Sequence, residues 1–504
     1  MKIMKKVNTF FTLAVIAIAG LTSCTKTLEL DPISQISNQS FWKTENDATG
    51  ALNGMYVKLR TQAAGNLFAW GEARSEVMDR SLGGTAGLQV FFLNELNRSN
   101  VGVSAANNTI NSTWQGMYAA VHAANLLLKK TPQISFSSEN NKNQILAEAY
   151  AMRAYAYFVM TKTWGDLPLV LEPTEGSNPD VIMKERSSKV VIMTQIKADI
   201  DKALGLFPDN AFKNGRNMWS RPAVNALKAE VYLWNGKVMQ GGQDDFRTAL
   251  KAIEEVEKSD VVLLDKYESV FDYTNKGNKE ILMAVRFQDI ESSDNVFMNM
   301  YIDNSYMNKN TDQTTKDLIG VLGGLPAFTI SKLVRDQFSV DDQRRNATFI
   351  EIYAPVNGVN TFYGSVVSKF SGTVIGGARK FYDDIVLFRY ADVLLMKAEA
   401  QNALSLDPTA AINAVRKRAY GVNFPVHTYV NQSVVENDKA ILKERLLELT
   451  VEGKRWWDLV RFNKAFELVP SLAGKPLDNN LLLFPIAETT LSLEPKVKQN
   501  LGYN

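Results

Sequence analysis

The sequence predicts a mainly α protein, a stack of helix pairs interrupted by long irregular insertions. Three observations carry that prediction. Long segments place apolar residues at three-four spacing, the period of a helix with one buried stripe. Several of these segments come in pairs joined by Gly or Pro turns. Two other stretches, 79–106 and 290–380, are rich in Gly, Asn and Ser and hold no long periodic segment. Irregular stretches of that length are usually functional or disordered, and their aromatic residues argue for order.

The elements follow in chain order. The segment 45–61 carries Ala48, Ala51, Leu52, Tyr56 and Leu59 on one stripe. The segment 111–130 carries Trp114, Met117, Tyr118, Val121 and Leu128. The segment 143–164 repeats Ala149, Met152, Ala156 and Val159, and Gly165-Asp166-Leu167-Pro168 stops it. Ala147, Ala151 and Ala154 lie on its other faces, so this helix packs closely on more than one side. Segments 222–237 and 244–258 pair across Gly241-Gly242, and 387–404 and 408–419 pair across Asp407-Pro408. The pattern Ala226-Leu227, Tyr232, Gly236, Phe246, Ala249-Leu250 resembles a tetratricopeptide (TPR) helix pair, but no strict 34-residue period is sustained. A generic helical hairpin fits it too. Either way, stacked pairs bury a continuous core and leave a curved face for a partner.

Composition narrows the function. With 45% hydrophobic and 22% charged residues in 504, the chain is neither disordered, collagenous nor a multi-span membrane protein. Lys+Arg 56 against Asp+Glu 54 offers no global basic field for nucleic acid. One Cys allows no intrachain disulfide. His122 and His427 are too far apart for a His-rich metal site. No Gly-x-Ser-x-Gly, Gly-rich phosphate loop or His-Glu-x-x-His occurs. No catalytic residue, cofactor or metal site is therefore assigned.

The first residues read as an export signal. Lys2, Lys5 and Lys6 precede an apolar run over 10–20 that is too short to span a bilayer. Leu21-Thr22-Ser23-Cys24 resembles the lipobox of bacterial lipoproteins, which implies cleavage after 1–23 and acyl chains on Cys24. Each buried CH₂ of such a chain contributes about 0.8 kcal/mol of anchoring. Cleavage removes three Lys and no acid, leaving a near-neutral mature chain. Residues 24–40 then form a lipid-anchored tether and 41–504 the body.

Four segments behind that lipobox resemble the SusD/RagB family of outer-membrane nutrient-binding lipoproteins. They are LELDPISQISNQSFWKTENDA (28–48), AEAYAMRAYAYFVMTKTWGDLP (147–168), RYADVLLMKAEAQNALSLDPTAAINAVRKRAYG (389–421) and LKERLLELTVEGKRWWDLVRF (442–462). Leu483-Phe484-Pro485-Ile486 and a terminal Gln499-Asn500-Leu501-Gly502-Tyr503 follow in the family's order. Lys397 departs from the pattern, where many members carry an aromatic.

The resemblance implies a right-handed superhelix of TPR units, with helices at about 41–78, 107–290 and 381–465 and ligand-side insertions at about 79–106 and 291–380. It implies a cell-surface position over a TonB-dependent, SusC-like outer-membrane barrel. The TPR side would face that barrel. The insertion side would bind a glycan, or in some members a peptide, without catalysis. A surface glycoside hydrolase and a purely structural TPR adaptor are the competing readings.

Candidate ligand residues follow from the insertions, because aromatic rings cover the CH face of a sugar and polar side chains bond its hydroxyl rim. The first insertion offers Asp79, Arg80, Phe91, Phe92 and Asn94, the second Tyr301, Asn304 and Tyr306, and Trp70 is a further candidate. Phe outnumbers Trp in this set, unlike a starch-like arc of rings. Glu444, Glu448 and Glu452 stand four apart on one predicted helix face. A glycosidase needs its two carboxyls on opposite sides of a sugar, so a structural ion-pair network is the better reading, with Arg445, Lys454, Arg455 and Arg461 as near partners. Arg153 reads as a helix-packing Arg. Trp42, Trp114, Trp164 and the adjacent Trp456 and Trp457 read as core, since neighbours on a helix point about 100° apart. Asp341-Asp342 reads as a surface turn.

Overall fold

The computed structural model describes residues 41–83, 88–102, 113–176 and 178–503. The expected signal, Cys24 and the whole tether lie outside the described residues. Among those residues, no helix is long and apolar enough to cross a membrane.

Local signals place the helix ends. Helix α1 (Glu45–Ala63) starts in a capping box, where Thr44 and Asp47 each accept the other's backbone N–H. A short α2 (Asn66–Gly71) follows, then α3 (Gln115–Lys130). Helix α4 (Glu139–Trp164) is capped by Ser138 and ends at Gly165, whose φ of 77° suits a residue without a Cβ. From Ala151 onward every residue of α4 is buried, as alanines on several faces require. Ser188 caps α5 (Lys189–Leu206), and Ser220 caps α6 (Arg221–Val238). Then come α7 (Gln243–Glu257), α8 (Tyr390–Ala403), α9 (Thr409–Tyr420), α10 (Val434–Leu449) and α11 (Arg455–Arg461).

Each long helix packs on its successor. Helix α3 lies on α1 and α4, α5 on α4 and α6, α7 on α6 and α8, and α8 on α9 and α10. The α6–α7 pair is drawn close at Gly236, where a Cβ would stand 2.4 Å from the Phe246 ring. Gly236 and Phe246 belong to the pattern that resembles a TPR pair, and here they perform its packing.

The helical region is shorter than expected. After α7 the chain runs through 3-10 turns into strand β2 (Ile281–Val285). Likewise 387–389 is not the start of α8 but the end of strand β8 (Ile385–Arg389), antiparallel to β2. The run Ile385 to Phe388 is buried throughout and apolar, which suits a covered strand as well as a helix.

The two insertions merge. Strand β1 (Met78–Arg80) in the first pairs antiparallel with β3 (Phe328–Ile330) in the second. A long hairpin, β4 (Phe349–Val356) with β5 (Val359–Val367), rises beside β3. A small hairpin joins β6 (Thr373–Ile375) to β7 (Ala378–Lys380).

Buried charge locks the second insertion to the helices. Arg344, Arg389, Arg418 and Lys369 meet Glu280, Asp342, Glu444, Glu448 and Glu452, all nearly inaccessible. A separate buried acid, Asp383, is not paid back in this way. Burial pushes its carboxyl up to about 7, and its Oδ2 has no hydrogen-bond partner. A carboxyl whose folded pKa lies above its unfolded value destabilises increasingly as pH rises from the unfolded to the folded pKa. Asp383→Asn is therefore expected to stabilise the protein at about pH 8 and much less at about pH 4. Urea unfolding midpoints at the two pH values check this, and an equal effect at both would contradict the assigned cause.

Candidate functional site

The merged insertions form one continuous face. Leu82 of the first insertion lies against Gly364 of β5, where a Cβ would come within 3.1 Å of it. Thr329 of β3 bonds Ser365 of β5. The Tyr363 hydroxyl donates to the Tyr306 carbonyl at 2.8 Å. Asp79 and Arg80 are thus brought beside β5 by strand pairing through β3, and Tyr306 by the Tyr363 hydroxyl, rather than by proximity in sequence. The short helix Gln89–Phe92 packs against β1 and brings Phe92 to the same region.

Of the candidate ligand residues, Asp79, Arg80 and Asn304 are exposed, and Phe92 and Tyr306 are half-buried. The other four are corrected by the structure. Trp70 is fully buried against Trp164, with ring centroids 5.0 Å apart. Phe91 is buried against Phe484. Tyr301 is buried, its hydroxyl donating to the Ile319 carbonyl at 2.6 Å and its ring covered by Arg379 at 4.4 Å. Asn94 is buried and accepts from Arg74 Nε at 2.7 Å while donating to the Arg74 carbonyl. These four hold the loops in shape and present no surface to a ligand.

The β4–β5 hairpin carries what the sequence reading missed. Tyr353 and Phe362 face each other across the strands, edge to face at 5.9 Å, and both are substantially exposed. The Arg335 guanidinium lies 4.4 Å from the Phe362 ring centre. Glu351 holds the cluster together, accepting from Arg335 at 2.9 Å, Arg345 at 2.7 Å and the Tyr353 hydroxyl at 3.3 Å. Rings beside Arg345 and Glu351 can meet both the apolar face and the hydroxyls of a sugar, while Arg335, itself buried, holds Phe362 and Glu351 in place. The signal was present. Asn357-Gly358 between alternating apolar residues marks a two-residue hairpin, and both take positive φ here, 51° and 77°.

The carboxylates weighed for hydrolysis lie elsewhere and are committed. Glu444, Glu448 and Glu452 are buried and ion-paired, as the network reading holds, but with other partners than expected. Arg445 instead meets Asp392 and Asp458, Lys454 meets Asp392, Arg455 meets Glu76 and Arg461 meets Glu399. Glu452 also stands beyond α10, which ends at Leu449. Positive charge on Arg418, Arg389 and Arg344 holds the Glu448 carboxyl well below its usual range, against the effect of burial. Arg153 packs α4 on α5 through a two-pronged pair with Asp199. Trp114, Trp164, Trp456 and Trp457 are core, while Trp42 is half-buried against Phe41. Asp342 is a buried partner of Arg344 rather than a surface residue, and Asp341 bonds His427 at 2.7 Å. Lys397 pairs with Glu257 on α7, which accounts locally for a charge at that position.

A helix-pair scaffold that carries one loop-built, aromatic and charged face defines a class of binding protein, and comparison places the chain within it. The family described as "SusD family" matches residues 351–503, and that described as "Starch-binding associating with outer membrane" matches 30–233. The structure of B. fragilis NanU is 33% identical with a TM-score of 0.83, covering 94% of this chain and 100% of that one. SusD-like protein P38 of Formosa agariphila is 29% identical over all of both chains. A structure titled "Laminarin binding SusD-like protein" is 25% identical with a TM-score of 0.74, over 92% of this chain and 100% of that one. This chain belongs to the SusD/RagB family.

Proposed function

We propose that this chain is a non-catalytic glycan-binding lipoprotein of the outer-membrane surface. It is anchored through Cys24 and hands captured oligosaccharide to a TonB-dependent, SusC-like barrel. The observation that carries the reading is the exposed Tyr353–Phe362 pair with Arg335, Arg345 and Glu351, on the face that also gathers Asp79, Arg80, Phe92, Asn304 and Tyr306. The laminarin-binding relative and the family described as associating with the outer membrane support glycan as the ligand and the membrane surface as the place. The burial of Glu444, Glu448 and Glu452 in ion pairs removes them as a hydrolytic pair.

Calorimetric titration of residues 25–504 against a panel of oligosaccharides and polysaccharides tests this. Saturable heat with one glycan class and no product formed is the expected result. Tyr353→Ala with Phe362→Ala is expected to weaken that binding about ten-fold or more, because two ring contacts are lost. Undiminished binding by the double variant would move the site off the hairpin, and released reducing sugar would make the protein a hydrolase. Delivery is tested separately, by whether the protein co-purifies with the barrel produced beside it.

A further inference from the structure

A second cleft, of about 400 Å³, opens between α1, the segment before α6 and the chain leaving β2. Its volume is in the range of small-molecule sites. None of its lining residues belongs to the hairpin or to the candidate ligand residues of the insertion face.

Its walls are rigid. The Tyr56 hydroxyl donates to Glu148 at 2.6 Å and accepts the Trp219 backbone N–H at 2.7 Å, so the ring is pinned between α4 and the lead-in to α6. Arg60 pairs with Glu291 at 3.2 Å, and Arg286 with Asp384 at 2.9 Å. Each guanidinium therefore meets a carboxylate, Asp384 being shared with Lys276, and neither stands unpaired before a ligand.

Hydrogen-bonding capacity nevertheless remains uncommitted. Among the described residues, the Asn53 and Asn217 side chains make no hydrogen bond. Arg286 gives only its Nε, which leaves both terminal nitrogens free. The Gln288 side-chain amide donates to Glu291, and among the described residues its Oε1 accepts no hydrogen bond. Apolar surface lies among these groups, from Tyr56 and Met218.

The lip is strained. Loop 288–292 is closed by Ser292, which accepts the Gln288 N–H at 2.8 Å and returns its own N–H to the Gln288 carbonyl. At its tip Ile290 takes φ 73°, a conformation a β-branched residue rarely adopts, and its side chain is 98% exposed. Strain of this kind persists where the surrounding structure enforces it and clusters at ligand clamps. Gln288 and Glu291, on either side of that tip, line the cleft, so the strained turn forms part of its edge.

We propose that this cleft is a second binding site, for a neutral mono- or disaccharide unit, with Asn53, Asn217 and Arg286 bonding its hydroxyls. The site is separate from the insertion face and does not depend on that face binding glycan.

Met218 lines the cleft, so its methyl group is a local probe of occupancy there, and the hairpin variant controls for effects propagated from the insertion face. The protein, labelled with ¹³C at methionine methyls and assigned by Met218→Leu, is titrated in turn with glucose, galactose, mannose, maltose, cellobiose and lactose. A saturable shift of the Met218 signal with at least one sugar is expected. Asn53→Ala with Asn217→Ala is expected to weaken it about ten-fold, and both residues face solvent or the cleft, so folding is spared. Tyr353→Ala with Phe362→Ala is expected to leave it intact. A Met218 signal that no sugar moves, that the Asn double variant preserves, or that the hairpin variant abolishes would overturn the proposal.

Discussion

Arg389→Ala is expected to cost about 3–5 kcal/mol of stability, the range for removing one partner from a buried ion pair. Arg389 is wholly inaccessible and spends every nitrogen. It bonds both oxygens of Glu452 at 2.8 and 2.7 Å, Glu448 Oε1 at 2.6 Å, Glu280 Oε1 at 2.8 Å and the Glu448 carbonyl at 2.7 Å. Truncation leaves three buried carboxylates with fewer counter-charges, and Arg418, Arg344 and Lys369 are already engaged. The loss falls where the second insertion joins the helices, because Lys369 reaches Glu452 and Arg344 reaches Glu444 from that insertion. Arg389→Lys keeps one charge but not the planar fork, so an intermediate loss is expected. Chemical unfolding of the three proteins checks the order. An alanine variant within about 1 kcal/mol of the parent would mean that the neighbours compensate.

The same network shows what a sequence does and does not disclose. That Glu444, Glu448 and Glu452 serve an ion-pair network rather than catalysis was legible from their spacing beside basic residues, although Glu452 stands past the helix end. Which bases pair with them does not, because Arg344, Arg389 and Lys369 arrive along paths that only the tertiary fold defines. Helix pairs were legible because three-four spacing is local. Helix α5 went unread although Ile192, Ile196 and Ile200 keep that spacing behind a Ser188 cap. The candidate face was half legible. Composition located the insertions, and the Asn357-Gly358 turn marked the hairpin. But an aromatic in a loop looks the same whether it faces water, like Phe362, or a neighbouring loop, like Tyr301. The difference lies in long-range closure, here the β1–β3 pairing across some 250 residues.

Arg74→Ala is the second large effect, and it is expected to be local. Arg74 is buried without an acidic partner among the described residues, and burial lowers its pKa. Its charge is met by three carbonyls, Leu481 at 2.6 Å, Leu482 at 3.1 Å and Leu483 at 3.0 Å. Its guanidinium also lies 4.2 Å from the Trp456 ring centre and 5.0 Å from that of Phe484. The C-terminal segment is thus pinned from inside by one side chain. Loss of that side chain orphans the carbonyls and is expected to cost about 3 kcal/mol or more. Other ties remain further along, Phe484 N–H to the Thr163 carbonyl, Asn500 to the Trp164 carbonyl, Arg186 to Asn500 and the Lys498 carbonyl, and Glu488 N–H to the Arg98 carbonyl, so the loosening is expected to centre on 481–486. The first insertion should loosen with it, because Asn94 is bonded to Arg74 and Phe91 packs on Phe484. Hydrogen exchange of the variant is therefore expected to rise together at 88–96 and 481–486, while α4 through α7 stays protected. Faster exchange at the terminal segment alone would show that the insertion holds its shape without Arg74. Joint release would show that one buried cation couples the C-terminal segment to the first insertion.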